Sequence, residues 1–351
     1  MNRYNKRVSR TIVALILLAL SVSLAGCAGE AYEYDEDFED YHNDSDYEDF
    51  DEEYMDDFND SMPSDEDFYE DDSYDRMGYG EVYYPATRGC DPSVFGKRGS
   101  ASEMEGKTVV VSIFLDDAVS SWSESDADVE LMYTMKDYLG MACDWISNQA
   151  ADYGTNMEFI YDWEQDEELA YQMQTDLDIA HDESGVDRYM GQQFDLSIDT
   201  DYLMSKYTAD NMLYLAFVNT PIDSDITSYT MNYYEGIRYP YEACYILTRV
   251  DGYLECPAGI AHEILHAYGA PDLYCADIYG DNYGVSEELV NYYEEEKSND
   301  IMFTNYDCIT GDSYYDRITN EFTPLDAYYC GIADRPAEAD EWGLSPSEHE
   351  Y

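Results

Sequence analysis

The sequence predicts an α/β fold: a mixed twisted sheet, a long backing helix, and a shorter helix that carries a pair of histidines. Three observations predict it. Apolar or β-branched runs at 108–115, 157–163, 212–218 and 243–249 have the length and composition of buried strands. Between the first two runs, Leu131, Met132, Met135, Leu139, Met141, Ala142 and Ile146 recur at the spacing of one helical face, so 128–151 reads as a long amphipathic helix. After the fourth run, Pro257 suits the first turn of a helix, and Gly269 suits its end, where a positive φ is useful. Strands interleaved with helices in this order point to an α/β class.

From the N-terminus, residues 1–26 read as an export signal, with Arg3, Lys6, Arg7 and Arg10 ahead of an apolar run at 11–20. The stretch 11–26 is short for a bilayer span. It closes on Leu24-Ala25-Gly26-Cys27, which resembles the lipobox of bacterial lipoproteins. The resemblance implies that Cys27 is lipidated and becomes the new N-terminus. The chain would then sit on the extracytoplasmic face of the bacterial cell membrane, touching the bilayer through that anchor only.

Residues 27–105 read as an acidic, tyrosine-rich spacer and linker. From Glu30 to Asp75 there is no Lys or Arg, and aromatic residues such as Tyr32, Phe38, Tyr47 and Phe58 make no helical or alternating face. Such a segment repels itself and stays extended. The formal charge of the whole chain is −62, which excludes nucleic acid and anionic membrane surfaces as partners by surface attraction. A basic peptide or protein is drawn in by the same field. Of the eight cysteines, an odd number remains once Cys27 is acylated, so at least one lacks a partner within the chain. None falls in a paired C-x-x-C cluster, and they read as structural.

The folded part is expected over 106–335, with short helices and loops in the polar stretch 165–209 and an acidic tail at 336–351. His42, His181 and His349 have no supporting pattern and read as solvated. The chemistry concentrates in the octet His262-Glu263-Ile264-Leu265-His266-Ala267-Tyr268-Gly269. Two histidines a turn apart on one helical face can reach one metal ion, and Glu263 beside them can take a proton from a metal-activated water. A catalytic zinc takes a third protein ligand. Asp272, brought back by a turn at Gly269, is the first candidate, with Glu287 and Glu288 as rivals from a later helix. A structural Ca²⁺ ion is allowed but has no supporting pattern.

The run from His262 to Asp272 resembles the extended metzincin motif H-E-x-x-H-x-x-G-x-x-H/D. Asn299-Asp300-Ile301-Met302 looks like the Met-turn of that family, with Met302 as a floor beneath the metal. Pro271-Asp272-Leu273-Tyr274 is similar to secreted bacterial metallopeptidases of the immune inhibitor A type, and 324–331 resembles their closing helix. By motif the resemblance covers 262–274, 300–302 and, weakly, 322–332; by element order it covers 108–333. Phe303-Thr304-Asn305-Tyr306 departs from the turn that carries an extra tyrosine ligand. The resemblance implies an α+β zincin-like domain and a cell-surface endopeptidase in which His262, His266 and Asp272 hold one Zn²⁺ and Glu263 is the general base. It also implies that the strand before the helix, 243–249, pairs with an extended substrate. The contrasting expectation is an inactive or non-peptidase lipoprotein that binds a metal or ligand at the surface.

Overall fold

The computed structural model describes residues 101, 104–179, 186–222, 227–231, 242–250, 252–276, 283–347 and 349. The export signal, Cys27, the acidic tract, His42 and His181 lie outside the described residues. No described helix is long and apolar enough to cross a membrane.

Strand β1 (Gly106–Asp116) is the spine of a six-stranded sheet. On one side it pairs with β4 (Asn211–Val218), then β6 (Glu242–Leu247) and β5 (Tyr229–Met231). On its other side the edge is shared. β2 (Met157–Ile160) pairs with the start of β1, and β3 (Ala170–Gln174) pairs with its end. All these pairings are parallel except that of β5 on β6. The sheet is therefore mixed but mostly parallel, in an α/β arrangement.

Alternation along the strands divides the core. Val110, Phe114, Leu213, Leu215, Phe217, Cys244 and Ile246 face one way, into a cluster shared with α1 (Asp126–Asp152) and α4 (Pro257–Ala267). Val109, Val111, Ile113, Tyr214, Ala216, Tyr245 and Leu247 face the other, towards α2 (Val186–Ser197) and α3 (Thr200–Tyr207). Covering both faces explains why these strands read as unbroken apolar runs rather than alternating ones. The long helix starts where Ser125 caps it by accepting from the Asp128 amide. It packs beside α4 on the same face of the sheet, not behind it alone. A short hairpin, β7 (Arg249–Val250) and β8 (Tyr253–Leu254), leads into α4.

Four expectations change. The polar stretch 165–209 contains a strand, β3, as well as helices. Its Ala-Tyr-Gln-Met-Gln sequence is partly exposed along an edge, so it lacks an apolar run. The linker does not run to 105, because Ala101 and Met104 are buried and Met104 N–H donates to the Cys330 carbonyl at 3.2 Å. The acidic tail expected at 336–351 carries structure of its own. It forms α7 (Ala337–Glu341), buries Ala339, Leu344 and Ser347, and is tied down by Arg335, which donates to the Leu344 carbonyl at 2.6 Å. His349, expected in solvent, donates from Nε2 to the Tyr268 carbonyl at 3.0 Å, at the end of α4.

Candidate metal centre

Helix α4 is held by its first and last turns. Cys256 caps it, its sulfur accepting from the Gly259 amide at 3.4 Å, and Pro257 follows at the first helical position. Almost every side chain of the helix is buried. Gly259 leaves room for the Glu255 carboxylate: a Cβ there would lie 2.1 Å from Glu255 Oε1, and the carboxylate would have to shift. The Glu255 carboxylate lies across that first turn, accepting from the Cys256 amide at 2.9 Å and from Ser228 Oγ at 2.7 Å. Burial outweighs those hydrogen bonds and pushes its carboxyl up to about 7. At the other end Tyr268 anchors the helix to β1, its hydroxyl 2.6 Å from Thr108 Oγ1.

Gly269, at φ 98°, then reverses the chain. The reversal brings Asp272 Oδ1 to 3.2 Å from His262 Nε2 and 3.1 Å from His266 Nε2. The two Nε2 atoms stand 3.0 Å apart, with the rings near perpendicular at 88°. Among the described residues this is the one group of three such side chains whose ligand atoms lie within 4.8 Å of one another. Glu287 and Glu288 sit exposed in the first turn of α5 (Glu287–Glu296) and are not brought to the histidines.

The backbone fixes which nitrogens face inward. His262 Nδ1 is 2.8 Å from the Ile301 carbonyl, and His266 Nδ1 is 2.7 Å from the Ala270 carbonyl. A carbonyl oxygen only accepts, so both Nδ1 atoms carry protons and a neutral ring presents a lone pair at Nε2. Asp272 Oδ1, buried between them, finds no hydrogen-bond donor among the described residues. Three electron-pair donors thus converge on one point. One proton can relieve part of this: burial opposes the charged ring, but Asp272, Glu263 and the Ile301 carbonyl outweigh it and lift His262 to about 9. For Asp272, burial is likewise outweighed by the two histidines, which hold its carboxyl well below the usual range. A proton between His262 and Asp272 still leaves His266 Nε2 facing the pair; a cation satisfies all three. A tetrahedral zinc with N and O ligands at about 2.0–2.2 Å spaces them roughly 3.3–3.5 Å apart, just outside the separations seen. The donor set and its carbonyl supports fit that ion.

Around the triad, Met302 is fully buried and its carbonyl accepts from the Leu273 amide at 2.9 Å. The turn therefore braces both His262, through Ile301, and the loop bearing Asp272. The turn is fixed in its place by Asp300, whose Oδ1 accepts from the Met302 amide at 2.8 Å. Asp300 packs against Asp326 in α6 (Pro324–Tyr329), and both carboxyls are raised, foremost by burial. The Tyr274 ring lies 6.2 Å from that of His262, and burial, then the nearby Asp272 charge, raises its hydroxyl. Glu263 is buried, and its Oε2 accepts from Thr230 Oγ1 on β5 at 2.8 Å.

Several of these partners were not apparent from spacing. Thr230 reaches the site only through the pairing of β5 with β6, and Glu255, just before α4, belongs to no recognisable motif. Tyr274 stands in the Pro-Asp-Leu-Tyr run, and its proximity to Asp272 was the only available signal. The strand expected to receive substrate is corrected: β6 is flanked by β4 and β5, so both its edges are used, and β5 is the outermost described strand. No protein-family model matches the chain, and no curated protein matches it either.

Proposed function

We propose that the protein is a zinc-dependent endopeptidase, held on the extracytoplasmic face of a bacterial membrane by an acylated Cys27. The observation that carries this reading is the convergence of His262 Nε2, His266 Nε2 and Asp272 Oδ1 on one point, with a buried glutamate adjacent. Zinc bound there supplies Lewis acidity, acidifying a water and polarising a carbonyl. Ile301 and Ala270 orient the two imidazoles, and the Met302 turn supports them from below. Glu263 takes the water's proton and returns it to the leaving amine. The Tyr274 hydroxyl stands beside Asp272 as a donor for charge developing on the scissile carbonyl oxygen. An extended peptide adds to the outer side of β5 through backbone hydrogen bonds. The formal charge of −62 favours basic substrates.

The test is cleavage of a broad peptide library by the mature chain. Cleavage that stops with a chelator, returns with zinc, and is absent from Glu263→Ala supports the reading. Equal cleavage by both proteins, or none by the zinc-loaded wild type, overturns it; zinc bound without cleavage would leave the binding lipoprotein instead.

A further inference from the structure

We propose that Thr230, on the edge strand β5, is a positioning residue that aims the Glu263 carboxylate. The inference rests on the peptidase reading above.

Ser228 and Thr230 are two residues apart, so they project from the same face of the chain. That face meets α4. Ser228 Oγ donates to Glu255 Oε2 at 2.7 Å and accepts from the Leu247 amide at 3.1 Å. Thr230 Oγ1 lies 2.8 Å from Glu263 Oε2 and 2.9 Å from the Glu263 carbonyl. On α4, Gly259 and Glu263 are one turn apart, and the Glu255 carboxylate lies over Gly259. Two hydroxyls, one just before β5 and one on it, therefore face two carboxylates, one just before α4 and one on it.

Thr230 has one proton and two acceptors in reach. The Glu263 carbonyl has another donor, the Cys244 thiol at 3.4 Å, from the residue paired with Thr230 across β5 and β6. The carboxylate is the stronger acceptor, because charge shortens and strengthens the bond. The proton accordingly goes to Oε2, which leaves Oε1 to face the reacting water. A β-branched side chain has few rotamers, so the hydroxyl is aimed by the strand itself. Glutamate has three rotatable bonds, and among the described residues the Thr230 hydroxyl is the hydrogen-bond partner that the geometry gives the Glu263 carboxylate, a side chain otherwise held by burial. Pinning one oxygen selects the orientation in which the other serves as base. The strand that would receive the peptide is thus also the strand that sets the base.

Thr230→Val removes the hydroxyl and keeps shape and strand propensity; Thr230→Ser keeps the hydroxyl. The expected result for Thr230→Val is a fall in kcat of about 10- to 100-fold, as for a base displaced by about an ångström. KM should stay unchanged, and bound zinc per chain should equal that of the wild type. Thr230→Ser should recover kcat to within about fivefold, since only rotamer freedom is added. A second readout does not depend on activity: the melting midpoint of the metal-free protein should drop more on Thr230→Val in the wild-type background than in Glu263→Ala. Wild-type kcat in Thr230→Val, or a Thr230→Ser as slow as Thr230→Val, would overturn the proposal. So would an equal melting loss in both backgrounds. Failure of the peptidase reading has a different signature, no cleavage by the zinc-loaded wild type. It removes the base and its positioning together, while the melting comparison still reports on the Thr230–Glu263 bond.

Discussion

The buried carboxyl pair behind the candidate metal centre gives the most quantitative expectation. Asp300 Oδ2 and Asp326 Oδ1 lie in the core with no hydrogen-bond donor among the described residues, while Asp326 Oδ2 accepts from the Thr323 amide at 2.7 Å. Burial is the largest cause of the rise in both carboxyls; the Asp300 charge raises Asp326 further, whereas hydrogen bonding with Asp326 lowers Asp300 in part. A carboxyl with a higher pKa folded than unfolded binds its proton more tightly in the native state. Its contribution to stability is full below the ordinary value of about 4 and is lost as pH rises through the raised one. Asp326→Asn replaces the protonated acid with a permanent donor. Its amide oxygen can keep the Thr323 bonds while its NH₂ donates to Asp300 Oδ2. Satisfying a buried charged acceptor is worth about 1–3 kcal/mol, which for a domain of this size is about 4–8 °C in Tm at roughly 2 kcal/mol. The gain should appear at pH 8 and shrink towards zero at pH 4. Thermal melts of wild type and variant across that range, with a chelator present, measure it. The histidines and Asp272 are common to both proteins, so their titration cancels in the difference. A variant destabilised equally at every pH, or a gain independent of pH, would refute the shared-proton account.

Further outcomes follow from single contacts. Asp272→Asn should weaken zinc binding about 10- to 100-fold by competition with a chromophoric chelator, whereas Glu288→Gln should leave it unchanged; the reverse pattern would reassign the third ligand. Gly259→Ala should cost about 1–3 kcal/mol in urea unfolding, because its Cβ would meet Glu255 Oε1 at 2.1 Å. Glu255→Ala in the same chain should recover part of that loss, and no recovery would mean that the clash lies elsewhere. Cys27→Ser should shift the protein from the detergent phase to the aqueous phase on partitioning, and retention in detergent would count against acylation.

Much of the architecture is visible in local pattern. The runs within β1, β4 and β6 are apolar on both faces because helices cover both, and the periodicity of α1 is that of a helix with one buried side. His262, His266 and Asp272 are equally local: one helical turn and one glycine reversal bring them together. What could not be read depends on partners distant in sequence. β3 is a partly exposed edge and β5 is three residues long, so neither leaves a hydrophobic signature. The acidic composition after residue 335 concealed the burial of Ala339, Leu344 and Ser347: Asp340 and Glu341 are exposed, while Glu338 turns in to pair with Lys297. The bond of Thr230 to Glu263 depends on the register that sets Thr230 opposite Cys244. A shift of one residue would turn the hydroxyl to the other face.

The central claim is that two imidazoles and one carboxylate from 262–272 hold a zinc ion. X-ray absorption at the zinc edge of the reconstituted protein tests it most directly. The account predicts a first shell of nitrogen and oxygen at about 2.0–2.2 Å with imidazole scattering beyond it, lost in His262→Ala. A sulfur shell at about 2.3 Å, or a spectrum unchanged by His262→Ala, would place the metal on the cysteines or elsewhere and contradict the account.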